Sequence, residues 1–266
     1  MHQELLIQVE DGIATVTLNR PASRNALTPQ VAHAMREILT AYSIDPAIRL
    51  VVVTGAGDAF CAGGDVKAQA QVAAGTQAPM GFDQRVADLR LCMEVSRLLH
   101  EMPKPTLAVL PGAAAGAGLS LALACDLRLA SDNAKLTTAF SRIGLSGDFG
   151  GSYFLSHLVG AARARELYFS ARMLGAQEAL QLGLLDRVVP AAQLGQAAQE
   201  WARELAALPT VAIGYMKRNL NLAQRAPLSD VLDAEAVHMV RTFQTEDHKA
   251  AVVAFVEKRA PRFDGR

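Results

Sequence analysis

The chain has 266 residues, of which 51% are apolar, so it can bury a substantial core as one large domain. Lys and Arg together number 26, as do Asp and Glu, and no long basic run is present, which excludes a nucleic-acid-binding arm. The three cysteines, Cys61, Cys92 and Cys125, lack C-x-x-C spacing, so the sequence indicates neither a disulfide framework nor a thiolate zinc site. We therefore expect no metal, and a reducing compartment.

The N-terminus and the longest uncharged stretch indicate whether the protein is secreted or inserted in a membrane. Met1 to Glu4 include an acidic residue and begin no basic-then-apolar sequence, which predicts no secretory signal and a cytoplasmic protein. Residues 107–125 carry no charge and are nearly long enough to cross a bilayer, but Pro111 and Gly112 interrupt them and no aromatic anchors flank them. The stretch therefore predicts a buried turn and helix, and no membrane contact.

The first elements of the chain have clear local signals. Apolar residues alternate over residues 5–18 with Asp11-Gly12 in the middle, which predicts an antiparallel hairpin. Thr28 followed by Pro29 predicts a helix that starts with an N-cap and a proline in its first turn. Residues 50–53 are continuously apolar and predict a buried strand.

Strand and helix signals then alternate, which predicts an α/β fold. Helices are expected at 85–100 and 118–125, and strands at 106–110 and 127–130. From about residue 191 strand signals stop. Amphipathic helical patterns follow at 196–207, 211–223 and 228–243. We expect residues 1–190 to form the core and residues 191–266 to form a helical C-terminal region.

The first of two small-residue turns follows the strand at 50–53. It is not a dinucleotide-binding fingerprint, because the third glycine of that motif would fall at Phe60. Instead, residues 62–64 (Ala-Gly-Gly) predict a tight turn that presents backbone N–H groups, with Asp65 capping a helix that starts at Val66.

The second turn follows the strand at 106–110 and runs from Gly112 to Gly118, where a helix begins. The first N–H groups of that helix lack intrahelical partners and carry the positive end of its dipole. Two such turns could direct two N–H donors at one oxygen and so stabilise the enolate of a thioester. The alternative is that the small residues only permit close backbone packing.

The motifs of both turns resemble the successive signatures of the enoyl-CoA hydratase/isomerase (crotonase) family. The resemblance rests on residues 18–27, 59–65 and 112–126 and continues to residues 255–259, so it spans essentially the whole chain. It implies a spiral of ββα repeats whose C-terminal helical region assembles a homotrimer, or a hexamer of two trimers. It also implies an acyl-CoA substrate, with coenzyme A entering as part of that substrate and no separate cofactor.

Carried over by position, the resemblance implies a set of site residues. The oxyanion donors would be the N–H groups of Ala62 and Ala117, with Gly118 as the alternative if the register slips by one residue. The coenzyme A contacts would be Arg24, Ala26, Ala62, Gly63, Gly64, Asp65 and Lys67, with Phe255 and Lys258 of a neighbouring subunit. The acyl pocket would be lined by Gly116, Ser120 and Phe140. The alternative for Lys258 is a solvated charge on a helix face.

The catalytic acid or base is the most discriminating position. Hydratases of the family use two glutamates, and the corresponding positions here are Ser120 and Phe140, so the machinery for adding water is missing. What remains is Asp148, set among glycines, where isomerase and dehalogenase members of the family carry a functional aspartate. In an apolar pocket its pKa would rise toward usefulness as a proton carrier. The alternative is that Asp148 is a turn residue or the N-cap before the helix expected near Ser152.

These residues predict an enzyme that shifts a double bond of an acyl-CoA through an enolate held by the two backbone donors, with Asp148 as the proton shuttle. Within the family the chain looks most similar to the isomerase branch that includes the 1,2-epoxyphenylacetyl-CoA isomerases. The open alternatives are a hydratase, thioester hydrolysis or dehalogenation, and a non-catalytic acyl-CoA-binding or RNA-binding member. Residues 61–91 lack the histidine that dehalogenases pair with the aspartate, and the neutral charge disfavours RNA.

Overall fold

A computed structural model describes residues 4–66, 70, 74 and 80–266 of the protein. Its chain opens with the predicted hairpin, in which β1 (Leu5–Glu10) and β2 (Ile13–Leu18) pair antiparallel. Asp11 and Gly12 join the strands with φ values of 51° and 77°. A two-residue turn with positive φ at both positions matches the right-handed twist of the strands, so the hairpin prediction is confirmed.

The larger sheet has six strands in the order β1-β2-β3-β5-β7-β10. Its further strands are β3 (Leu50–Gly55), β5 (Thr106–Leu110), β7 (Leu127–Ser131) and β10 (Arg187–Val189). All of its pairings other than β1–β2 are parallel. Parallel strands are covered on both faces, and successive residues of β3 accordingly pack into two different apolar clusters. This arrangement confirms the predicted α/β class.

The smaller sheet was not predicted. It consists of β4 (Ala59–Cys61), β6 (Ala113–Ala115), β8 (Lys135–Thr137) and β9 (Leu174–Gly175), in the order β4-β6-β8-β9. The first three strands run parallel and β9 pairs antiparallel with β8. The first small-residue turn leaves the end of β4 and the second leaves the end of β6. Because β4 and β6 are parallel neighbours, their turns emerge at the same edge of the sheet.

The helices follow the alternation expected from the sequence. They are α1 (Pro29–Ile44), α2 (Phe82–Cys92), α3 (Glu94–Glu101), α4 (Ala117–Ala124), α5 (Gly151–Ser170), α6 (Ala176–Gln181), α7 (Leu194–Ala206), α8 (Thr210–Ala223), α9 (Leu228–Phe243) and α10 (Glu246–Val256). At the start of α1 the Thr28 side chain accepts a hydrogen bond from the Val31 N–H at 3.2 Å, which confirms the predicted N-cap. The helix expected at 85–100 is two helices, α2 and α3, separated at Met93.

Residues 191–266 contain α7 to α10 and no strand, and the contacts that join them to the rest of the chain include two made by buried side chains. Trp201 of α7 packs into the cluster on the outer face of the larger sheet. The buried ammonium of Lys217 in α8 donates to the Asp126 carboxylate at 2.7 Å and to the Leu99 carbonyl at 2.8 Å. The division at residues 190 and 191 stays a prediction, but α7 packs as part of the core.

The uncharged stretch 107–125 lies mostly within β5, β6 and α4, so it forms several short elements. In the described part of the chain, no helix combines the length and apolar character needed to cross a membrane. Proline and glycine at 111 and 112 end β5, as the sequence indicated.

Candidate active site

The two small-residue turns pack directly against each other. A Cβ atom built on Gly63, whose φ is 96°, would lie 2.8 Å from the Ala115 carbonyl oxygen and 3.5 Å from the Ala117 nitrogen. A Cβ atom built on Gly118 would lie 2.3 Å from the Cys61 carbonyl oxygen. Contacts this short leave no room for a side chain, so glycine is required at both positions for backbone to meet backbone.

Each turn supplies one N–H group that has no acceptor among the described residues. Ala117 is the first residue of α4, so its N–H lacks an intrahelical partner. In the first turn, the Ala62 N–H donates to the Arg24 carbonyl oxygen at 2.9 Å, which makes the prediction of Ala62 as an oxyanion donor wrong. The unpartnered donor of that turn is the Gly64 N–H, because the flanking Asp65 N–H is bonded to Leu27 at 3.1 Å.

The segment that precedes α1 holds the first turn in place. The buried Asn25 side chain donates to the carbonyl oxygens of Ala56 and Ala59, at 2.9 and 2.8 Å, on either side of the bend into β4. The Leu27 N–H donates to the Gly63 carbonyl oxygen at 2.7 Å. These hydrogen bonds hold the first turn in place. The Gly64 N–H has no acceptor among the described residues, so it can donate to a ligand. The sequence motif at 18–27 therefore has a structural function that its residue types alone did not reveal.

A narrow pocket, too small in this conformation to hold a water molecule, lies beside the second turn. It brings together the three residues predicted to line an acyl pocket, Gly116, Ser120 and Phe140. Its other lining residues are Leu119, Leu123, Thr138, Gly151, Leu155 and Tyr168. None of these residues carries a carboxylate, and the Ser120 hydroxyl donates to the Gly116 carbonyl oxygen at 3.2 Å. The wall of the pocket is thus mostly apolar, with three hydroxyl groups.

Asp148 lies in the loop that leads into α5, and its carboxylate oxygen Oδ1 is buried without a hydrogen-bond partner. Burial disfavours the charged form and raises the pKa of Asp148 to about 6, the direction expected from the sequence. The capping alternative is contradicted, because the N-cap of α5 is Gly150 and no side chain bonds to that end of the helix. Asp148 does begin a turn, in which its carbonyl oxygen accepts a hydrogen bond from the Gly151 N–H at 3.1 Å. An unpaired acid with a raised pKa is a typical feature of a catalytic site.

The loop around Asp148 is built tightly against Tyr168 of α5. A Cβ atom on Gly147 would lie 2.9 Å from the Tyr168 ring, and one on Gly151 would lie 2.5 Å from its hydroxyl oxygen. Between them, Phe149 has a φ of 50°, a conformation that side chains rarely adopt. Backbone strain of this kind clusters at functional sites. Tyr168 was not predicted as a site residue, since nothing in its local sequence marks it.

Comparison with known proteins bears on the chemistry of this site. Residues 8–266 match the family model described as enoyl-CoA hydratase/isomerase. The chain belongs to the enoyl-CoA hydratase/isomerase family. It is 35% identical to the 1,2-epoxyphenylacetyl-CoA isomerase of Escherichia coli K12, with 100% of both chains covered. It is 30% identical to the crotonyl-CoA hydratase of Syntrophomonas wolfei, covering 98% of each chain.

A solved structure supports the same assignment at the level of the fold. The enoyl-CoA hydratase of Polaromonas sp. JS666 superposes with a TM-score of 0.89 at 35% identity, covering 97% of this chain and 99% of that one. The crotonase fold predicted from the motifs is therefore confirmed. The protein is a crotonase-family acyl-CoA enzyme, and its relatives at this level of identity include both an isomerase and hydratases.

Several of the residues predicted to contact coenzyme A lie around the first turn. Arg24 is exposed, has a φ of 48°, and its guanidinium makes no hydrogen bond or ion pair with any described residue. Ala26 is buried behind it. The Asp65 carboxylate accepts a hydrogen bond from the Arg20 guanidinium at 3.0 Å, so the Asp65 side chain stabilises the first turn. Lys67 lies outside the described residues. Of these positions, Arg24 offers an available cation for a phosphate group.

Phe255 and Lys258 lie at the end of α10, far along the chain from the turns. The Phe255 side chain is 84% exposed, and Lys258 has a φ of 55°. No hydrogen bond, ion pair or ring contact joins either residue to the described residues of the two turns. Within one chain, the structure therefore does not bring them to the site.

His33, Asp88 and Cys92 form a cluster that the sequence spacing did not indicate. His33 Nε2 on α1 lies 3.0 Å from an Asp88 oxygen and 4.0 Å from the Cys92 sulfur, both on α2. Burial raises the pKa of the Cys92 thiol to about 11, and the Arg36 guanidinium acts on the same thiol. A nearby guanidinium and a neutral thiol both disfavour a bound cation, so the cluster is best described as a hydrogen bond between His33 and Asp88 that joins the two helices.

Proposed function

We propose that the protein moves the double bond of an unsaturated acyl-CoA thioester between the β,γ and α,β positions. The thioester carbonyl oxygen would accept hydrogen bonds from the Gly64 and Ala117 N–H groups, one from each turn. Removing the α proton places negative charge on that oxygen, and the two donors stabilise it more strongly than they stabilise the neutral carbonyl. Deleting one such donor in other enzymes costs about 10²–10³ in kcat, which sets the scale of its contribution.

Asp148 would carry the proton. Its carboxylate removes the α proton, and the C–H electron pair forms a dienolate whose negative charge lies on the thioester oxygen. When the carbonyl re-forms, the new double bond lies between the α and β carbons, and the electron pair of the old double bond takes the proton back from the carboxylic acid at the γ carbon. With a pKa of about 6, Asp148 is largely ionised at neutral pH and forms a usable acid once it accepts the proton. One group can therefore act in both half-reactions.

The buried, unpartnered Oδ1 atom of Asp148 is the observation on which this proposal depends. Hydration is the second candidate, favoured by the relation to a crotonyl-CoA hydratase. Addition of water across a double bond needs groups that hold and activate the water as well as a proton donor. Ser120 and Phe140 occupy the positions of the two glutamates that hydratases of the family use, which leaves one carboxylate, Asp148, and supports isomerisation over hydration.

The test is to incubate the protein separately with 3-hexenoyl-CoA and 2-hexenoyl-CoA. We expect the conjugated thioester to form from the first and little 3-hydroxyacyl-CoA to form from the second. Asp148→Asn should reduce isomerisation by at least 10²-fold while acyl-CoA still binds, because it removes the proton carrier and keeps the shape. Because the carboxylate is the active form, kcat/KM of the parent protein should rise with pH around 6 and then level off.

Asp11→Asn is the matched control, because it makes the same chemical change in an exposed turn that asparagine tolerates. Its turnover should equal that of the parent protein. Efficient hydration of 2-hexenoyl-CoA, or full isomerase activity in Asp148→Asn, would contradict the proposal.

The proposal includes a trimer or a pair of trimers. Exposed apolar side chains are frequent on the last two helices: Leu232, Val237, Met239, Val240, Phe243, Val252, Val253, Phe255 and Val256. Apolar surface of this extent on neighbouring helices is typical of a protein–protein interface. Contact with a neighbouring subunit would also bring Phe255 and Lys258 to a coenzyme A site that one chain leaves incomplete.

A further inference from the structure

The chain reverses its direction at the end of α10. The Lys258 N–H donates to the Phe255 carbonyl oxygen at 3.2 Å, and Lys258 has a φ of 55°. The Arg259 N–H donates to the Ala254 carbonyl oxygen at 3.0 Å. These two bonds and the left-handed residue form a Schellman motif, which ends the helix and turns the chain back. Residues 259–266, here called the return segment, follow the motif.

Asp247, in the first turn of α10, holds the far end of the return segment. Its carboxylate is buried and accepts hydrogen bonds from the Asp264 N–H at 2.7 Å and from the Gly265 N–H at 3.0 Å. The Asp247 N–H donates to the main-chain oxygen of Arg266 at 2.9 Å. Hydrogen bonds to a charged group are stronger than those between neutral groups. The return segment therefore ties the two ends of α10 to each other.

Arg49 joins the return segment to the rest of the chain. Its guanidinium, in the connection between α1 and β3, donates to the Phe263 carbonyl oxygen at 2.7 Å. It also donates to the Leu208 carbonyl oxygen at 2.8 Å and to the Thr210 hydroxyl at 3.2 Å, where α8 begins. One side chain thus links the return segment, the start of α8 and the larger sheet.

Apolar packing within one chain contributes little to the position of α10. The buried residues of this helix are Asp247 and Ala254. Its larger apolar side chains are exposed, namely Val252, Val253, Phe255 and Val256. A helix that buries so little apolar surface is held weakly by its own fold. The hydrogen bonds of Arg49 and Asp247 are therefore the main constraint that one chain places on the direction of α10.

We propose that Asp247 and Arg49 are positioning residues for coenzyme A: through the return segment they fix the direction of α10 and so present Lys258 to the site of a neighbouring subunit. The inference rests on the proposed function in one respect, namely that Lys258 of a neighbouring subunit contacts coenzyme A. A cation that is already held where a phosphate group will lie loses little conformational entropy on binding, which increases the affinity. Without the return segment, Lys258 is present but not held.

The experiment measures binding, which does not depend on turnover. Deletion of residues 262–266 removes the groups of the return segment that Asp247 and Arg49 hold, and it keeps all of α10 with Lys258. Isothermal titration with hexanoyl-CoA should show binding weakened about 3- to 5-fold by the deletion and by Lys258→Ala, the scale of one exposed charge pair. The two changes combined should cause no further loss, because each removes the same contact.

Hexanoyl-pantetheine provides the comparison ligand, since it lacks the nucleotide phosphates that a lysine would contact. The parent protein, the deletion, Lys258→Ala and the combined variant should bind it equally. Light scattering should give all four proteins the same mass. A role of the return segment in folding alone would weaken both ligands.

Two further variants keep the full chain. Asp247→Ala removes the acceptors for the return segment, so it should weaken hexanoyl-CoA as the deletion does. Arg262→Ala combined with Arg266→Ala is the matched control, because it removes the exposed cations of the return segment and keeps its main-chain hydrogen bonds. This control should bind hexanoyl-CoA as the parent protein does.

The inference is overturned if the deletion and Lys258→Ala weaken hexanoyl-CoA additively, if the deletion and Asp247→Ala weaken both ligands alike or lower the mass, or if the double arginine variant binds as weakly as the deletion. Weaker binding by Lys258→Ala, with unchanged binding by the deletion and Asp247→Ala, contradicts the inference alone. Unchanged binding by Lys258→Ala removes the shared coenzyme A site of the proposed function as well.

Discussion

Asp148 sits where its charge is unfavourable for folding. Its pKa is about 6 in the folded protein and near 3.8 in a freely solvated carboxyl group, so the folded state binds the proton more tightly. Between these two values the folded state holds more protons than the unfolded state, and stability therefore falls as pH rises from about 4 to about 6. Above pH 6 the destabilisation is fully present. Such a cost is common for catalytic groups.

Replacing Asp148 by asparagine should consequently stabilise the protein at pH 8. The amide cannot ionise, so it removes the cost of burying a charge and keeps the side-chain volume. We expect a higher Tm for Asp148→Asn at pH 8 and a smaller gain at pH 4.5, measured by thermal melts of both proteins. An equal gain at the two pH values, or a loss at pH 8, would contradict the origin assigned to the raised pKa.

Three residues of the site, Asp148, Gly64 and Tyr168, differ in how far the sequence could reveal them. Asp148 was predicted because it is the remaining carboxylate among the glycines of a known motif. Ala62 was predicted in place of Gly64. The Ala62 N–H in fact donates to the carbonyl oxygen of Arg24, and a contact between residues so far apart in sequence cannot be read from the local motif. Tyr168 was missed because an aromatic residue within a helix is ordinarily core. Only the three-dimensional packing against Gly147 and Gly151 shows that its hydroxyl belongs to the site.

At the scale of elements, α4 is the element that connects fold to chemistry. Its eight residues are all buried, and its N-terminus lies against the first turn. The helix therefore offers a backbone N–H in a region from which water is largely excluded, where a hydrogen bond to a developing charge is strong.

Ala117→Pro tests this role directly. Proline is tolerated in the first position of a helix, and it removes the N–H that the mechanism requires. We expect kcat to fall about 10²–10³-fold with the helix retained, measured by steady-state kinetics together with circular dichroism. Ala117→Gly, which keeps the N–H, is the control and should retain most of the activity. Comparable kinetics for the proline and glycine variants would exclude the Ala117 N–H as a donor.

The first five strands of the larger sheet were predictable, whereas its three-residue strand β10 and the strands of the smaller sheet were not. Strands such as β3 are long enough for a continuous apolar run to indicate them, and the Asp11-Gly12 turn defines the hairpin. Strands β4, β6, β8 and β9 have two or three residues each, too few to show any periodicity. They form because neighbouring backbone segments align in three dimensions, which a local pattern does not record.

At the scale of the whole molecule, the exposed apolar faces of α9 and α10 predict assembly. We expect light scattering to give a mass of three or six chains. If a neighbouring subunit supplies Lys258, Lys258→Ala should raise KM for acyl-CoA several-fold with little change in kcat and an unchanged mass. Lys249→Ala, on the exposed face of the same helix, is the control. A monomer with full activity would contradict both the assembly and the shared site.

The buried ammonium of Lys217 has a consequence for the way the chain unfolds. It satisfies the carbonyl oxygens of Leu99 and Lys104 and the carboxylate of Asp126, three acceptors that belong to the region before residue 190. Detaching residues 191–266 would leave a carboxylate without its counter-ion, through the loss of α8, and expose the apolar surface that Trp201 of α7 covers. Residues 1–190 and 191–266 should therefore melt in a single cooperative transition, and a fragment that ends at residue 190 should not reach the native state.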